Sequence, residues 1–192
     1  MKALKVVLPV MIALVVAACA KPPQADIDAA RAAVSAAAKN PDVVAYAPDA
    51  LKSAQDKLAQ MESELAARHY DKVKPLAQDA KTAAAAAATD AAANKAKVQQ
   101  MASALITALK QSLPDAASKL AAARGVRGIK LDFAALTKQL NDAQAAVADA
   151  DTDLTNGNFA SALGKATAVQ NQLTDAEKTV SDAIQAASSR KK

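Results

Sequence analysis

Leu51, Ala54, Leu58, Met61 and Leu65 recur at alternating intervals of three and four residues. After a short turn at His69 the rhythm resumes in Val73, Ala77, Ala80, Ala84, Ala87, Ala91, Asn94, Val98, Met101, Leu105 and Ala108. Side chains at that interval share one face of an α-helix, and on two antiparallel helices they form the seam of a hairpin or coiled coil. The residue types agree. About 55 of the 192 residues are alanine, the best helix former, against no Trp, two Tyr and two Phe. The predicted fold class is therefore all-α: elongated antiparallel helical hairpins in a coiled-coil-like bundle. The second arm extends to about 40 residues, or roughly 60 Å at 1.5 Å per residue. Pro75 near its start predicts a kink or a later helix start, because an interior proline loses a hydrogen bond and clashes with the preceding turn.

An earlier helix spans Gln24 to Lys39, with Ile27, Ala30, Val34 and Ala37 on one stripe, between Pro22-Pro23 and the break at Asn40-Pro41-Asp42. Three Pro-Asp pairs (Pro41-Asp42, Pro48-Asp49 and Pro114-Asp115) each precede a helical pattern. Proline suits the first helical turn, where its missing N–H has no intrahelical partner, and an adjacent Asp favours the positive end of the helix dipole.

The hairpin pattern returns 89 residues later. Leu140, Ala143, Val147, Ala150 and Leu154 stand where Leu51 to Leu65 stood, and Asn156-Gly157-Asn158-Phe159 answers Ala67-Arg68-His69-Tyr70. Ala162, Ala166, Val169 and Leu173 then answer Val73, Ala77, Ala80 and Ala84, and the stripe runs on through Ala176, Val180, Ala183 and Ala187. This register predicts two related hairpins, a duplication. Between them, Arg124-Gly125-Val126-Arg127-Gly128-Ile129-Lys130 holds two of the four glycines and three cations and reads as a linker. The predicted organisation is a leader over 1–18, a first helix and long hairpin over 19–123, a linker over 124–131, and a second hairpin with a basic tail over 132–192.

The leader reading starts from Lys2 and Lys5, followed by an apolar run from Val6 to Ala18. Those 13 or so residues are fewer than the roughly 20 needed to span a bilayer, but they suit the centre of a secretory signal. Val16-Ala17-Ala18-Cys19 resembles the lipobox of bacterial lipoproteins. The resemblance implies cleavage before Cys19, lipidation of its thiol and acylation of its amine, including palmitate-type chains, and hence a firm membrane anchor. It also implies the periplasmic face of the outer membrane, since Ala20 replaces the Asp that favours inner-membrane retention. Cys19 is the lone cysteine, so no internal disulfide framework exists.

A second resemblance rests on Tyr46-Ala47-Pro48-Asp49-Ala50-Leu51, then Ala54, Lys57-Leu58 and His69-Tyr70-Asp71 before an alanine-rich helix. These residues are similar to the envelope lipoproteins grouped as domain of unknown function 4398, over roughly Asp26 to Val98. In that family a Tyr-Ala-Pro segment opens a helix and a Gly-x-Tyr turn leads to the next. This chain departs from the pattern at Arg68-His69, where a Gly-Asp pair is usual, and at Pro75. The resemblance implies an architecture and an address, not a reaction.

Chemistry-bearing residues are sparse. The formal charge of +5 falls to about +3 once Lys2 and Lys5 leave with the leader, too little and too dispersed for a nucleic-acid footprint. His69 is the only histidine and reads as a turn residue; no second His or free thiol completes a nucleophilic or metal set. Asp149, Asp151 and Asp153 alternate as in some calcium loops, but on a helical arm without the loop glycine or the closing Glu. No cofactor, metal, nucleic acid or small-molecule substrate is expected, and no enzymatic activity. Tyr70 and Phe159, at equivalent turns, read as packing anchors, with a recognition role as the alternative. Alanine seams bring helices close and leave little volume for a cavity. Leu105, Ile106 and Leu109 offer an apolar edge to a partner helix, or pack within the chain.

Ser188-Ser189-Arg190-Lys191-Lys192 resembles the end of the Braun-type lipoproteins, which implies covalent attachment of Lys192 to peptidoglycan. Without that attachment it is a basic end complementing the last helix dipole. The functional expectation is a lipid-anchored periplasmic structural or protein-interaction module. Its alternatives are a membrane-to-peptidoglycan tether through Lys192, or a binding protein for an anionic or hydrophobic envelope component, in which Arg124, Arg127 and Lys130 would converge with hairpin lysines.

Overall fold

A computed structural model describes residues 21–189, so the leader, Cys19 and Lys192 lie outside the described residues. Among those described there are six helices and no strand: α1 (Gln24–Lys39), α2 (Pro41–Tyr46), α3 (Pro48–Ala66), α4 (Tyr70–Ala123), α5 (Phe133–Thr155) and α6 (Phe159–Ser189). The all-α class holds.

Local chemistry starts the first helices. The Asn40 side chain accepts the Asp42 backbone N–H at 2.9 Å, and Pro41 and Pro48 occupy first-turn positions. The third Pro-Asp pair behaves differently. Pro114 lies inside α4, which runs 54 residues through both Pro75 and Pro114. At 1.5 Å per residue that helix is about 80 Å long, not 60. It begins at Tyr70 despite Pro75, with the Lys72 N–H bonding the His69 carbonyl at 3.0 Å. Packing on both sides of each proline offsets the lost hydrogen bond. Leu113 and Ala116 are buried around Pro114, and Val73 and Ala77 around Pro75.

The seam of α4 holds as read from Val73 to Ala91, then changes. Met101, predicted inside, is 49% exposed, whereas Ala102, Ile106 and Leu109 are buried. Helical geometry explains the slip. Eleven residues from Ala91 to Ala102 turn about 1100°, within about 20° of three full turns, while ten residues to Met101 fall about 80° short. An unbroken alternation of three and four drifts around a straight helix and cannot keep one face inward for 50 residues. Ile106 and Leu109 are thereby core residues, with Leu105 packed against them.

Two buried clusters result, and they part within α4. The first joins α1, α2 and α3 to α4 as far as Ala91; the second joins α4 from Ala102 onward to α5 and α6. The 124–131 segment therefore does not separate the units. It connects two helices of the second one, with Ile129 and Leu131 packed on its core. The reason is visible in the stripes. Leu113, Ala116, Leu120 and Ala123 repeat the spacing of Ile27, Ala30, Val34 and Ala37, and all eight are buried. Each unit is a helix, a connector and a hairpin, and the last helix of the first unit is continuous with the first helix of the second. The hairpins keep their 89-residue offset: Ala66 answers Thr155 and Tyr70 answers Phe159.

Both cores are built from small aliphatics. Ile27, Val43, Met61, Val73, Ile106 and Val169 are the largest fully buried side chains, and no polar side chain is buried among the described residues.

Candidate functional site

The two turns share one design. Arg68 (φ 61°) and Gly157 (φ 81°) hold the left-handed position just past a helix end. The His69 N–H reaches the Glu64 carbonyl at 2.9 Å, and the Asn158 N–H reaches that of Asp153 at 2.8 Å, which satisfies a carbonyl at each helix end. An acid in the last turn then ties the two arms together. Glu64 Oε2 lies 2.6 Å from His69 Nδ1 and 3.3 Å from Lys72 Nζ. Asp153 accepts from Ser161 Oγ at 2.6 Å and pairs with Lys165 Nζ at 2.8 Å. The His69 hydrogen bond, ahead of Lys72, holds the Glu64 carboxyl below its usual range, and Lys165 and Ser161 do the same for Asp153. His69 is thus a turn residue. Tyr70 packs against the first core, while Phe159 is half-buried.

The alternating aspartates disperse. Asp153 serves the turn, Asp151 pairs with Lys110 of α4 at 2.8 Å, and Asp149 is exposed. No group of three potential metal ligands forms among the described residues. The connector cations also divide: the Arg124 guanidinium lies 5.5 Å over the Phe133 ring and donates to Thr137 Oγ1 at 3.4 Å, while Arg127 and Lys130 stand exposed.

A cleft that sequence reasoning missed lies in the second unit. Ala116 and Leu120 of α4, Leu136 and Leu140 of α5, and Ala176, Val180 and Ile184 of α6 line an apolar space of about 360 Å³. Lys119, Glu177 and Ser181 edge it, and Lys119 Nζ bridges α4 to α6 through Glu177 Oε1 at 2.8 Å. An alanine seam leaves no such space, but here leucines alternate with alanines and the helices do not close on one another. The signal available beforehand was Leu136, Leu140 and Ile184 at the open end of the second hairpin, while Leu120 reaches them from α4.

A second notch marks the junction of the units, where Tyr46, Asn94, Val98, Met101, Leu163 and Gly164 meet. Asn94 Nδ2 donates to the Tyr46 carbonyl at 2.8 Å, and Lys95 pairs with Asp42 at 2.9 Å, so α2 is fastened to the middle of α4.

No helix among the described residues is long and apolar enough to cross a membrane. No curated protein and no solved structure matches the chain. Residues 25–104 match the family model described as Domain of unknown function (DUF4398), so over α1, α2, α3 and α4 as far as residue 104 the chain resembles that domain family.

Proposed function

We propose that the chain is a lipid-anchored envelope lipoprotein acting as a non-catalytic spacer and protein-interaction module on the periplasmic face of the outer membrane. The anchor rests on Val16-Ala17-Ala18-Cys19 and the short apolar run before it. The observation that carries the spacer role is α4, a single 54-residue helix built into both buried clusters. Such a helix transmits position across about 80 Å without a hinge loop, because both ends are held by packing. Only four residues separate Cys19 from Gln24, the start of α1, which places the first unit close to the anchored end.

Metabolic labelling of the native host with an alkyne-tagged palmitate tests the anchor. Label on the wild-type protein in the outer-membrane fraction, lost in Cys19→Ala, supports the reading. Unlabelled protein released freely with the periplasmic fraction contradicts it. Site-specific photo-crosslinking at Met101 and Val98 then tests the module: discrete adducts to envelope proteins are the expected result, and a bare monomer at both positions argues against an interaction role there.

A further inference from the structure

We propose that the cleft between α4, α5 and α6 binds the hydrocarbon chain of a single-chain anionic amphiphile of the fatty-acid type. This does not depend on the anchor, since it uses only residues of the second unit. The walls are aliphatic: Ala116, Leu120, Leu136, Leu140, Val180 and Ile184 offer neither an aromatic ring nor a hydrogen-bonding group. A sugar or a heteroaromatic ligand therefore finds nothing there to fix its orientation, whereas a polymethylene chain needs only apolar contact.

Size narrows the choice further. At about 360 Å³ the space holds about a dozen methylene-sized groups, taking roughly 30 Å³ each as for a water molecule. A partner helix, roughly 10 Å across with its side chains, would fill 360 Å³ with less than one turn of its length, too little to seat it. Hydration points to the same end of the bundle. Ala116, Leu120, Leu136, Leu140, Ala176 and Val180 keep 5–9% exposure, whereas Ala150, Ala162 and Ala166 at the turn end keep 0%. Water thus touches an apolar wall that a threaded chain would cover, and removing that surface from water favours binding.

Charge selects the headgroup. Arg124 stands one helical turn beyond Leu120, and its partners among the described residues are the Thr137 hydroxyl, beside Leu136, and the Phe133 ring. Neither is a carboxylate, so at the α4–α5 edge stands an exposed guanidinium with no carboxylate partner among the described residues. Lys119 at the α4–α6 edge, by contrast, is already paired with Glu177. A carboxylate at the end of a chain lying along Leu120 and Leu136 would supply the missing anion.

The test uses the full chain carrying Cys19→Ser, so that no attached acyl group competes and no detergent is needed. Dansyl-labelled undecanoate reports occupancy by fluorescence, and dodecanoate and 1-dodecanol are used to displace it. The expected result is saturable enhancement, displacement by both, at least tenfold weaker binding in Ala176→Phe, and several-fold weaker dodecanoate but unchanged dodecanol binding in Arg124→Gln. Circular dichroism establishes that each variant is folded; if Ala176→Phe is not, Arg124→Gln decides by the ratio of the two ligands. No enhancement at about 100 μM, well above the dissociation constant of any useful site, overturns the proposal. So does binding that survives a folded Ala176→Phe, or an equal loss of dodecanoate and dodecanol in Arg124→Gln. A wild-type dimer that Ala176→Phe turns into a monomer gives the cleft to a second copy of the chain and also overturns it.

Discussion

Arg68 and Gly157 occupy equivalent turn positions, both in the left-handed region, at φ 61° and 81°. That conformation brings Cβ close to the following carbonyl oxygen, at a cost of roughly 1–2 kcal/mol for an L-residue that glycine does not incur. Glycine loses more backbone freedom on folding, which returns about 0.5–1 kcal/mol to the other side. Arg68→Gly should therefore stabilise the chain by about 0.5–1 kcal/mol, and Gly157→Ala should destabilise it by a similar amount. The second figure is purely conformational, because a Cβ at Gly157 meets nothing within 4 Å. Urea unfolding of the full chain followed by helical circular dichroism reads both, and a change of 1 kcal/mol moves the melting temperature by roughly 2–4 °C at this chain length. The turns share hydrogen bonds as well as dihedrals, so opposite signs are required. A stability loss in Arg68→Gly together with a neutral Gly157→Ala would refute the reasoning.

Other substitutions address other parts of the account. Ile106→Ala should cost about 2–5 kcal/mol as a buried truncation, while Met101→Ala stays within about 0.5 kcal/mol; equal costs in urea titration would restore the unslipped seam. Pro114→Ala should raise stability, by up to about 3 kcal/mol, because it returns the hydrogen bond to the Lys110 carbonyl; an unchanged urea midpoint would show that the proline is already accommodated. The Glu64 carboxyl is held below its usual range first by His69. Its contribution is therefore complete above the ordinary carboxylate range and disappears as pH falls through the lowered folded value. His69→Ala should accordingly flatten the acid limb of stability measured from pH 6 to pH 3 and leave a Glu64→Gln background unaffected.

The hairpins were legible because their signals are local. Leu140 to Leu154 and Ala162 to Val180 keep one face inward over only a few turns, too short for drift to matter, and Gly157 marks its own turn. The long helix was not. Pro114-Asp115 carries the chemistry of a helix start, and only the packing of Leu113, Ala116 and Leu120 against α5 and α6 overrides it. That same packing moved the division between units from 124–131 into α4. The first helix of the second unit went unrecognised because no break precedes it, although Leu113, Ala116, Leu120 and Ala123 copy the spacing of α1. The cleft escaped notice for a different reason. Its volume depends on how three helices close around Leu120, Leu136 and Leu140, which no single stripe encodes.

The spacer role depends on α4 passing unbroken from one core to the other, and a spin-label distance across the junction tests this most directly. Labels at Thr89→Cys and Ser118→Cys, both exposed positions on α4, go into the Cys19→Ser full chain. Twenty-nine residues of continuous helix predict a single narrow distribution near 44 Å, at about 1.5 Å per residue. A broad distribution, or a peak well short of that distance, would mean that α4 breaks between Thr89 and Ser118, at the junction of the two cores or at Pro114, and would contradict a continuous spacer.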